Sequence, residues 1–262
     1  LWNTGGAASF ENKGKLTIGF FSSPGLNGVQ NEVAFFGNRE GAELSIARSS
    51  QFGILNAVGN VVNAGKINIQ GAANSYSIDN IGLLTNLPCA VISLLDAVYN
   101  DGQWQNLGMI SINTLAAHTN VPAPGKSFIN DGILEYTQGN PIPNVTNHNL
   151  ISLPLSANCN SITPALMLGN QLHSTVASNW YSNPNLNTLA GTYNQATNTF
   201  IASALASTLY FMVHDDANNC DIRVSAKATY QLDLIPPTVV CKNTSVFLNA
   251  QGAVGISAAQ VF

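Results

Sequence analysis

The stretch that decides the fold is residues 9–18, SFENKGKLTI, because nearly the same phrase returns along the chain. It recurs as VVNAGKINI at 61–69, SIDNIGLLTN at 77–86 and SFINDGILEY at 127–136. Each copy has an apolar or β-branched residue, then Asn, a spacer, Gly and a short apolar alternation. Such regular repetition, with little charge, is typical of stacked architectures in which each repeat packs on its neighbours.

The Asn and Gly of the phrase recur six times, as Asn12 and Gly14, Asn38 and Gly41, Asn63 and Gly65, Asn80 and Gly82, Asn106 and Gly108, and Asn130 and Gly132. The spacing fits one coil of a parallel β-solenoid, whose repeats run from roughly 20 residues upward. Hairpins are the alternative, since Asn-x-Gly also marks hairpin loops, but hairpins do not require a repeated phrase. We therefore expect a right-handed parallel β-solenoid over residues 1–150, with the clearest repeats from about 8 to 136.

The phrase assigns a role to each of its positions. Gly is expected at sharp corners with positive φ, where a residue without Cβ turns at low cost. The alternating residues after it, such as Leu16 and Ile18, point inward along a strand. An inward Asn at each corner is positioned to form a ladder, hydrogen-bonding the backbone of the neighbouring coil.

The composition indicates a folded protein with an uncharged polar surface. Only 8% of residues are charged, against about 25% in an ordinary soluble domain, and 34 residues are Asn. The net charge of −4 gives no basic footprint, so nucleic acid is not expected as a partner. Abundant Asn, few Lys and widely spaced Cys suit an extracellular protein.

The pattern changes after about residue 150, and an Ig-like β-sandwich is expected over 151–235. Residues 220–234, CDIRVSAKATYQLDL, alternate between apolar and polar, as a strand does with one face on a core and one in water. Cys159 and Cys220 bracket Trp180, the Cys…Trp…Cys order of Ig-like domains. A Cys159–Cys220 disulfide is therefore predicted, with Trp180 in the core. Cys89, in the apolar run LPCAVISLL, is predicted to be a buried free thiol.

Two segments of the second half resemble a known family. Residues 179–230, from NWYSNPN through STLYFMVHDDANNCDIRVSAKATY, are similar to Ig-like modules of large secreted Bacteroidota surface proteins. Residues 236–262, PPTVVCKNTSVFLNAQGAVGISAAQVF, resemble the opening of the HYR-like β-sandwich repeat of the same proteins. The family includes gliding-motility adhesins and other cargo of the type IX secretion system.

The resemblance implies a secreted protein at the cell surface, outside the outer membrane. It also implies contact with the type IX machinery during export, and a natural chain that continues beyond residue 262 to complete its third domain. Surface glycans or a host or substrate surface are the partners that such an adhesin would bind.

The sequence offers little support for catalysis. The carboxylates of the solenoid fall at unrelated points of the repeat, and none of the four His residues has metal-ligand spacing. Asp215, Asp216 and Asp221 form the densest acidic cluster, which is either a solvated loop, the favoured interpretation, or a Ca²⁺ site. Trp104, in an insertion between two repeats, is a weak ligand-binding candidate because exposed aromatics bind sugars. We therefore expect a non-catalytic adhesin segment without a cofactor, or alternatively a carbohydrate-binding or polysaccharide-degrading β-helix protein.

Overall fold

The computed structural model describes residues 1–4, 8–19, 27–71, 76–154, 164–172 and 174–228. All regular elements in these ranges are β-strands, which confirms the predicted all-β class. The chain divides into two compact units, Leu1–Gln231 and Leu232–Phe262, and the described residues belong to the first. The predicted HYR-like segment 236–262 lies outside the described residues, as does Cys159.

The first part of the chain consists of short strands that recur at coil-length intervals. In chain order they are β1 (Trp2–Asn3), β2 (Ser9–Asn12), β3 (Lys15–Ile18), β4 (Val29–Asn31), β5 (Phe35–Asn38), β6 (Glu43–Ile46), β7 (Phe52–Asn56), β8 (Asn60–Asn63), β9 (Lys66–Ile69), β10 (Tyr76–Asn80), β11 (Leu83–Asn86), β12 (Val91–Leu94), β13 (Ala97–Asn100), β14 (Gln103–Asn106), β15 (Met109–Asn113), β16 (Thr119–Asn120), β17 (Phe128–Asn130), β18 (Ile133–Gln138), β19 (Val145–Asn147) and β20 (Leu150–Ser152).

These strands form three parallel sheets that the chain visits in a fixed order. Sheet 1 runs β1-β4-β7-β10-β13-β16, sheet 2 runs β2-β5-β8-β11-β14-β17-β19, and sheet 3 runs β3-β6-β9-β12-β15-β18-β20. Each strand pairs in parallel with the strand one coil away, which is the predicted β-solenoid. The last strands, β19 and β20, extend sheets 2 and 3 beyond residue 136, where the sequence repeat weakens.

Alternating side chains fill the interior of the solenoid. On sheet 3 one inward column is aligned coil by coil and contains Leu16, Leu44, Ile67, Ile92, Ile110, Leu134 and Ile151. On sheet 2 the rings of Trp104 and Phe128 stack with centroids 4.8 Å apart. In-register stacking thus places like residues above one another, so each inward side chain is buried between its neighbours in the coils above and below.

Two ladders of Asn side chains, all buried except the half-buried Asn147, lie at the ends of the strands of sheets 1 and 2. On sheet 1 the ladder contains Asn3, Asn31, Asn56, Asn80, Asn100 and Asn120; on sheet 2 it contains Asn12, Asn38, Asn63, Asn86, Asn106, Asn130 and Asn147. Each Nδ2 donates to the Oδ1 of the next Asn at 2.7–3.0 Å. The expected bonds to the backbone of the next coil are present, as from Asn38 Nδ2 to the Lys66 carbonyl at 3.1 Å, whereas the bonds between Asn side chains were not predicted. Asn80 belongs to sheet 1, and Asn86 takes its place on sheet 2.

Most of the repeat glycines are required by close packing between coils. The prediction that they are required because they adopt a positive φ was wrong for most of them. Gly41 alone among the six has positive φ, at 73°. A Cβ on Gly65 would lie 2.3 Å from the Ala42 carbonyl oxygen of the preceding coil, and Gly82, Gly108 and Gly132 are equally tight. Gly14 has open space around it, because the structure describes no earlier coil beneath it.

The second part of the chain is antiparallel. Its strands are β21 (Leu166–Leu168), β22 (Ser174–Val176), β23 (Asn179–Tyr181), β24 (Leu189–Asn194), β25 (Thr199–Ala202), β26 (Thr208–Asp215) and β27 (Cys220–Lys227). Strand β21 adds to sheet 3 beside β20, and the others form sheet 4, in which β26 pairs with β22, β23 and β27. An antiparallel sheet is compatible with the predicted Ig-like sandwich, of which it would form one layer.

An aromatic cluster around Trp180 forms the core of sheet 4. Trp180 is fully buried, and its ring stacks on those of Phe211 and Tyr193, with centroids 4.2 and 4.3 Å apart. Its Nε1 donates to the Ala177 carbonyl at 2.7 Å, so the indole loses no hydrogen bond on burial. The predicted core role of Trp180 is confirmed.

Sheet 4 meets the solenoid through its edge strand β27, and the two share an apolar cluster. The Ser225 N–H donates to Glu135 Oε1 at 2.6 Å, and the Ser225 carbonyl accepts from Ser152 Oγ. Met109 and Ile133 from the outer face of sheet 3 belong to the same buried cluster as Trp180. The predicted 1–150 and 151–235 segments are therefore packed together in one compact unit, through residue 231.

The disulfide pairing differs from the prediction. Cys220, at the start of β27, is bonded to Cys89 in the solenoid corner before β12, 131 residues earlier in the chain. The predicted Cys159–Cys220 bond is therefore wrong, and Cys89 is an exposed, paired cysteine and not a buried free thiol. The disulfide fixes the turn of the β26–β27 hairpin to the solenoid. These two places are far apart along the chain, so no nearby peptide segment joins them.

No helix in the described ranges is long and apolar enough to span a bilayer.

Candidate functional site: the sheet-3 groove

The outer face of sheet 3 changes character along the solenoid. One outward column contains, in coil order, Lys15, Glu43, Lys66, Val91, Met109, Ile133 and Leu150. Its first three members are charged and the last four are apolar. The apolar members pack against the cluster of sheet 4, so the second layer covers one end of this face and leaves the charged end open.

The second outward column is polar throughout. It contains Thr17, Ser45, Asn68, Ser93, Ser111, Glu135 and Ser152. Where sheet 4 covers the column, Glu135 and Ser152 bind the β27 edge. Elsewhere it presents one short hydroxyl or amide group per coil.

A groove lies where the open part of sheet 3 meets sheet 4, and we call it the sheet-3 groove. Three adjoining cavities of about 640, 520 and 400 Å³ share lining residues along it. Its floor is formed by Glu43, Ser45, Lys66, Asn68, Ser93 and Ser111, and its wall by Tyr210, Asp221 and Arg223. A concave surface with convergent polar groups is where ligands usually bind.

Glu43 is the best-organised acceptor on the floor. Ser45 Oγ donates to its Oε1 at 3.1 Å, Asn68 Nδ2 approaches the same oxygen at 3.4 Å, and Lys15 Nζ lies 3.6 Å from its Oε2. The hydrogen bond from Ser45 and then the charge of Lys15 lower the pKa of Glu43, and the charge of Lys66 acts in the same direction. The carboxylate is therefore ionised at neutral pH and available to accept further hydrogen bonds.

Glu135 is buried where the groove ends. Its Oε2 accepts from Ser111 Oγ at 2.5 Å, and its Oε1 accepts from the Ser225 N–H of β27. The carboxyl group is tolerated at this buried position because both of its oxygens are hydrogen-bonded. Glu135 therefore attaches sheet 4 to the solenoid and protects an exposed strand edge.

Trp104, the weak ligand-binding candidate, lies in the interior, which corrects that prediction. The side chain is fully buried in the solenoid core beneath Phe128. The segment taken for an insertion is strand β14, which pairs in register with β11 and β17. Trp2 is the exposed tryptophan, and its Nε1 donates to Glu32 Oε1 at 3.3 Å.

The three aspartates proposed for Ca²⁺ are engaged in different ways. Asp215 is buried and caps its own turn, accepting from the Ala217 N–H at 3.0 Å and from Asn218 Nδ2 at 2.8 Å. Asp216 and Asp221 lie on either side of His214, at 3.3 Å from Nε2 and 2.7 Å from Nδ1. The hydrogen bond to Asp221 raises the pKa of His214, and the charges of Asp221 and Asp216 act in the same direction. Within the described residues no three His, Cys, Asp or Glu side chains converge as a metal site, and Ca²⁺ binding stays a prediction.

A second His–carboxylate pair was not anticipated. His148 Nδ1 lies 2.8 Å from Asp131 Oδ1 at the corner after sheet 2, and Asn149 Nδ2 donates to the Asp131 carbonyl at 2.9 Å. The sequence signal was present, because Asp131 follows Asn130 in one coil and His148 follows Asn147 in the next. Only the register Asn130↔Asn147 brings the two side chains together.

Comparison with protein-family models, with curated proteins and with solved structures found no match for this chain.

Proposed function

We propose that this chain is a non-catalytic adhesive segment of a secreted cell-surface protein, with the solenoid as a stiff rod and sheet 4 as a second layer fixed to it. The assignment to the exterior of a bacterial outer membrane, through type IX secretion, rests on the resemblance of residues from about 160 to 262 to modules of such proteins. The alternative is a carbohydrate-binding or polysaccharide-degrading β-helix protein.

The observation that carries the proposal is the pair of uninterrupted Asn ladders. Each ladder amide bonds to its neighbours above and below, so bending the stack would break hydrogen bonds between groups that are otherwise buried. Burial of the inner sheet faces and in-register aromatic stacking act in the same direction. A rigid, elongating framework with a polar exterior is suited to holding a binding surface away from a cell.

The Cys89–Cys220 bond supports an oxidising location. Disulfides persist in secreted and periplasmic proteins and are rare in the reducing cytosol. This bond joins elements distant in sequence and supplements the interface of Glu135 and the apolar cluster, as expected of a protein that works outside the cell.

Binding to surfaces and turnover of polysaccharides separate the two candidate functions. Purified chain, labelled and oxidised, is applied to glycan arrays and to immobilised cells, and the same preparation is assayed for release of reducing sugar. We expect retention on at least one surface without turnover. Polysaccharide cleavage abolished by a single carboxylate substitution would establish the degrading alternative, and absence of retention on every surface would contradict an adhesive role.

A further inference from the structure

We infer that the sheet-3 groove binds a neutral polysaccharide chain that lies along the solenoid axis, with Glu43, Lys66 and Asn68 as its main polar contacts. The inference rests on the proposed adhesive function and names its ligand class.

The polar floor repeats at a step that suits a sugar chain. Ser45, Asn68 and Ser93 stand one above another on adjacent strands, which are about 4.8 Å apart in a sheet. An extended pyranose chain advances by a similar length per sugar and presents hydroxyl groups at every unit. Hydroxyl and amide side chains both donate and accept hydrogen bonds, as sugar hydroxyls do, so successive coils are able to bind successive sugars.

The charges along the groove favour a neutral ligand. Carboxylates at Glu40, Glu43 and Asp221 are interspersed with the cations of Lys66 and Arg223 among the lining residues. Lys15, beside the floor, is paired with Glu43. An acidic polysaccharide or a nucleic acid would need a continuous positive surface, and the ionised Glu43 would repel it.

A peptide fits the groove less well than a sugar chain. Peptides that bind sheets either extend an open strand edge or insert alternate side chains into apolar pockets. The nearest edge is β27, where both backbone groups of Ser225 are already bound by Glu135 and Ser152. The open floor carries one hydroxyl or amide group per coil, and the apolar side chains of its outward columns are limited to the half-buried Val91 and to Met109 at the margin of sheet 4.

The floor side chains have distinct parts in this binding. Glu43 is an ionised acceptor already held in place by Ser45, so it binds sugar hydroxyls without first losing much conformational freedom. Asn68 adds donor and acceptor capacity one coil further on, and Lys66 adds a donor beside it. Half-buried Tyr210 on the wall supplies ring surface of the kind that packs on the apolar side of a sugar.

The experiment is calorimetric titration of the oxidised chain with hexasaccharides of neutral glucan, mannan and xylan type, with polygalacturonate hexamer and with a neutral peptide of similar length. We expect at least one neutral hexasaccharide to bind, and to bind more tightly than its disaccharide because it spans several coils. Asn68→Ala and Lys66→Ala should each weaken that binding by about tenfold, the effect of losing a hydrogen bond worth about 1.4 kcal/mol. The matched control Gln105→Ala, on the outer face of sheet 2, should leave affinity within about twofold.

The outcomes separate this inference from the proposed function. Equal affinity of Asn68→Ala, Lys66→Ala and the original chain, with unchanged melting temperatures, would overturn the groove as the site. So would the absence of neutral-sugar binding, or a preference for the acidic hexamer or the peptide, while retention on cells or arrays persists. Loss of retention on every surface would instead contradict the adhesive function on which the inference rests.

Discussion

The solenoid and sheet 4 stabilise β-structure by different means. The solenoid buries rows of amides, and each Asn bonds both to identical residues one coil away and to backbone carbonyls. Sheet 4 instead packs its inner face around one large aromatic residue, Trp180. In a repeated architecture a buried amide costs little free energy, because the same hydrogen bonds form at every coil. A single sheet depends instead on one particular set of side chains that pack together.

The comparison also explains where the molecule depends on single residues. In the solenoid, a substitution in one coil disrupts the contacts of that residue with the coil above and with the coil below. Between the two regions, stability depends on a few unique groups, namely the Cys89–Cys220 bond, Glu135 and the apolar residues of sheet 3.

Asn63→Ala should destabilise the solenoid by about 4 kcal/mol, since it removes partners from at least two buried polar groups at about 1–3 kcal/mol each. Asn63 accepts from Asn38 Nδ2 at 2.8 Å and donates to Asn86 Oδ1 at 2.8 Å and to the Val91 carbonyl at 3.2 Å. Urea denaturation measures the change. Asn113→Ala, an exposed Asn on sheet 3, is the control, and equal midpoints for the two variants would show that the ladder contributes little.

Cys89→Ser should destabilise the oxidised protein by about 2–4 kcal/mol, the usual effect of losing a disulfide that closes a long loop. The loss should appear in sheet 4 more than in the solenoid, as measured by hydrogen exchange at the amides of the two regions. Peptide mapping without reductant should recover the Cys220 peptide linked to that of Cys89. Recovery of a Cys159–Cys220 peptide in its place would contradict the pairing.

Acidification should destabilise the solenoid through His118, which is nine-tenths buried and packs edge-on against Tyr136. Its Nδ1 accepts from the Val98 N–H at 3.1 Å, and burial lowers its pKa from 6.5 to about 4. Between these two pH values the unfolded chain binds a proton that the native protein does not. Stability is therefore full above about pH 6.5 and falls by up to about 3 kcal/mol as the pH decreases to about 4.

The test is urea denaturation at intervals from pH 7 to pH 4. His118→Gln keeps an acceptor but removes the titration, so its dependence on pH should be flatter than that of the original chain. His148→Gln, at a surface corner, should retain the steeper dependence. Identical slopes for the His118 variant and the original would show that His118 does not titrate in this range.

Gly65→Ala should destabilise the solenoid by about 2 kcal/mol, because its Cβ would meet the backbone oxygens of Ala42 and Arg39 at 2.3 and 2.4 Å and force adjacent coils apart. Gly14→Ala is the matched control at the equivalent repeat position, where nothing lies within 4 Å. Thermal melting compares the two. A loss of equal size at Gly14 would mean that backbone conformation, and not packing between coils, requires glycine there.

Glu135→Ala should have the smallest effect, about 1–2 kcal/mol, because it leaves the Ser225 N–H and Ser111 hydroxyl without their acceptor. Glu135→Gln retains one acceptor oxygen and should lose less. Hydrogen exchange at the Ser225 amide reports the contact directly. Unchanged exchange in the Ala variant would show that β27 is held by the disulfide and the apolar cluster alone.

Much of the fold followed from local patterns in the sequence. The repeated phrase predicted the parallel coils, the inward alternation and an Asn ladder, and the alternation at Ile222, Val224 and Ala226 predicted the buried face of β27. The ladder on sheet 1 was missed, and Asn80 was assigned to the wrong ladder, because an Asn near a Gly looks the same at either corner. The burial of Trp104 was missed because its strand was mistaken for an insertion.

The candidate groove was beyond prediction for a different reason. The seven residues of the first outward column on sheet 3 are spread over 136 residues of sequence, from Lys15 to Leu150. No local sequence pattern indicates that they form one column. Once the coils are in register, the change from charged to apolar marks where a second layer packs. The pairing of Cys89 with Cys220 was unpredictable in the same way, because it depends on which solenoid corner the β26–β27 hairpin reaches.

The sequence alone therefore determined the secondary structure, the coil and the buried amides, because each is set by residues a few positions apart or by a phrase that repeats. The tertiary structure decided which ladder each Asn joins, where sheet 4 packs, which cysteines bond and where a groove remains open. These features depend on contacts between residues distant along the chain, and such contacts are fixed only by the three-dimensional register of one coil on the next.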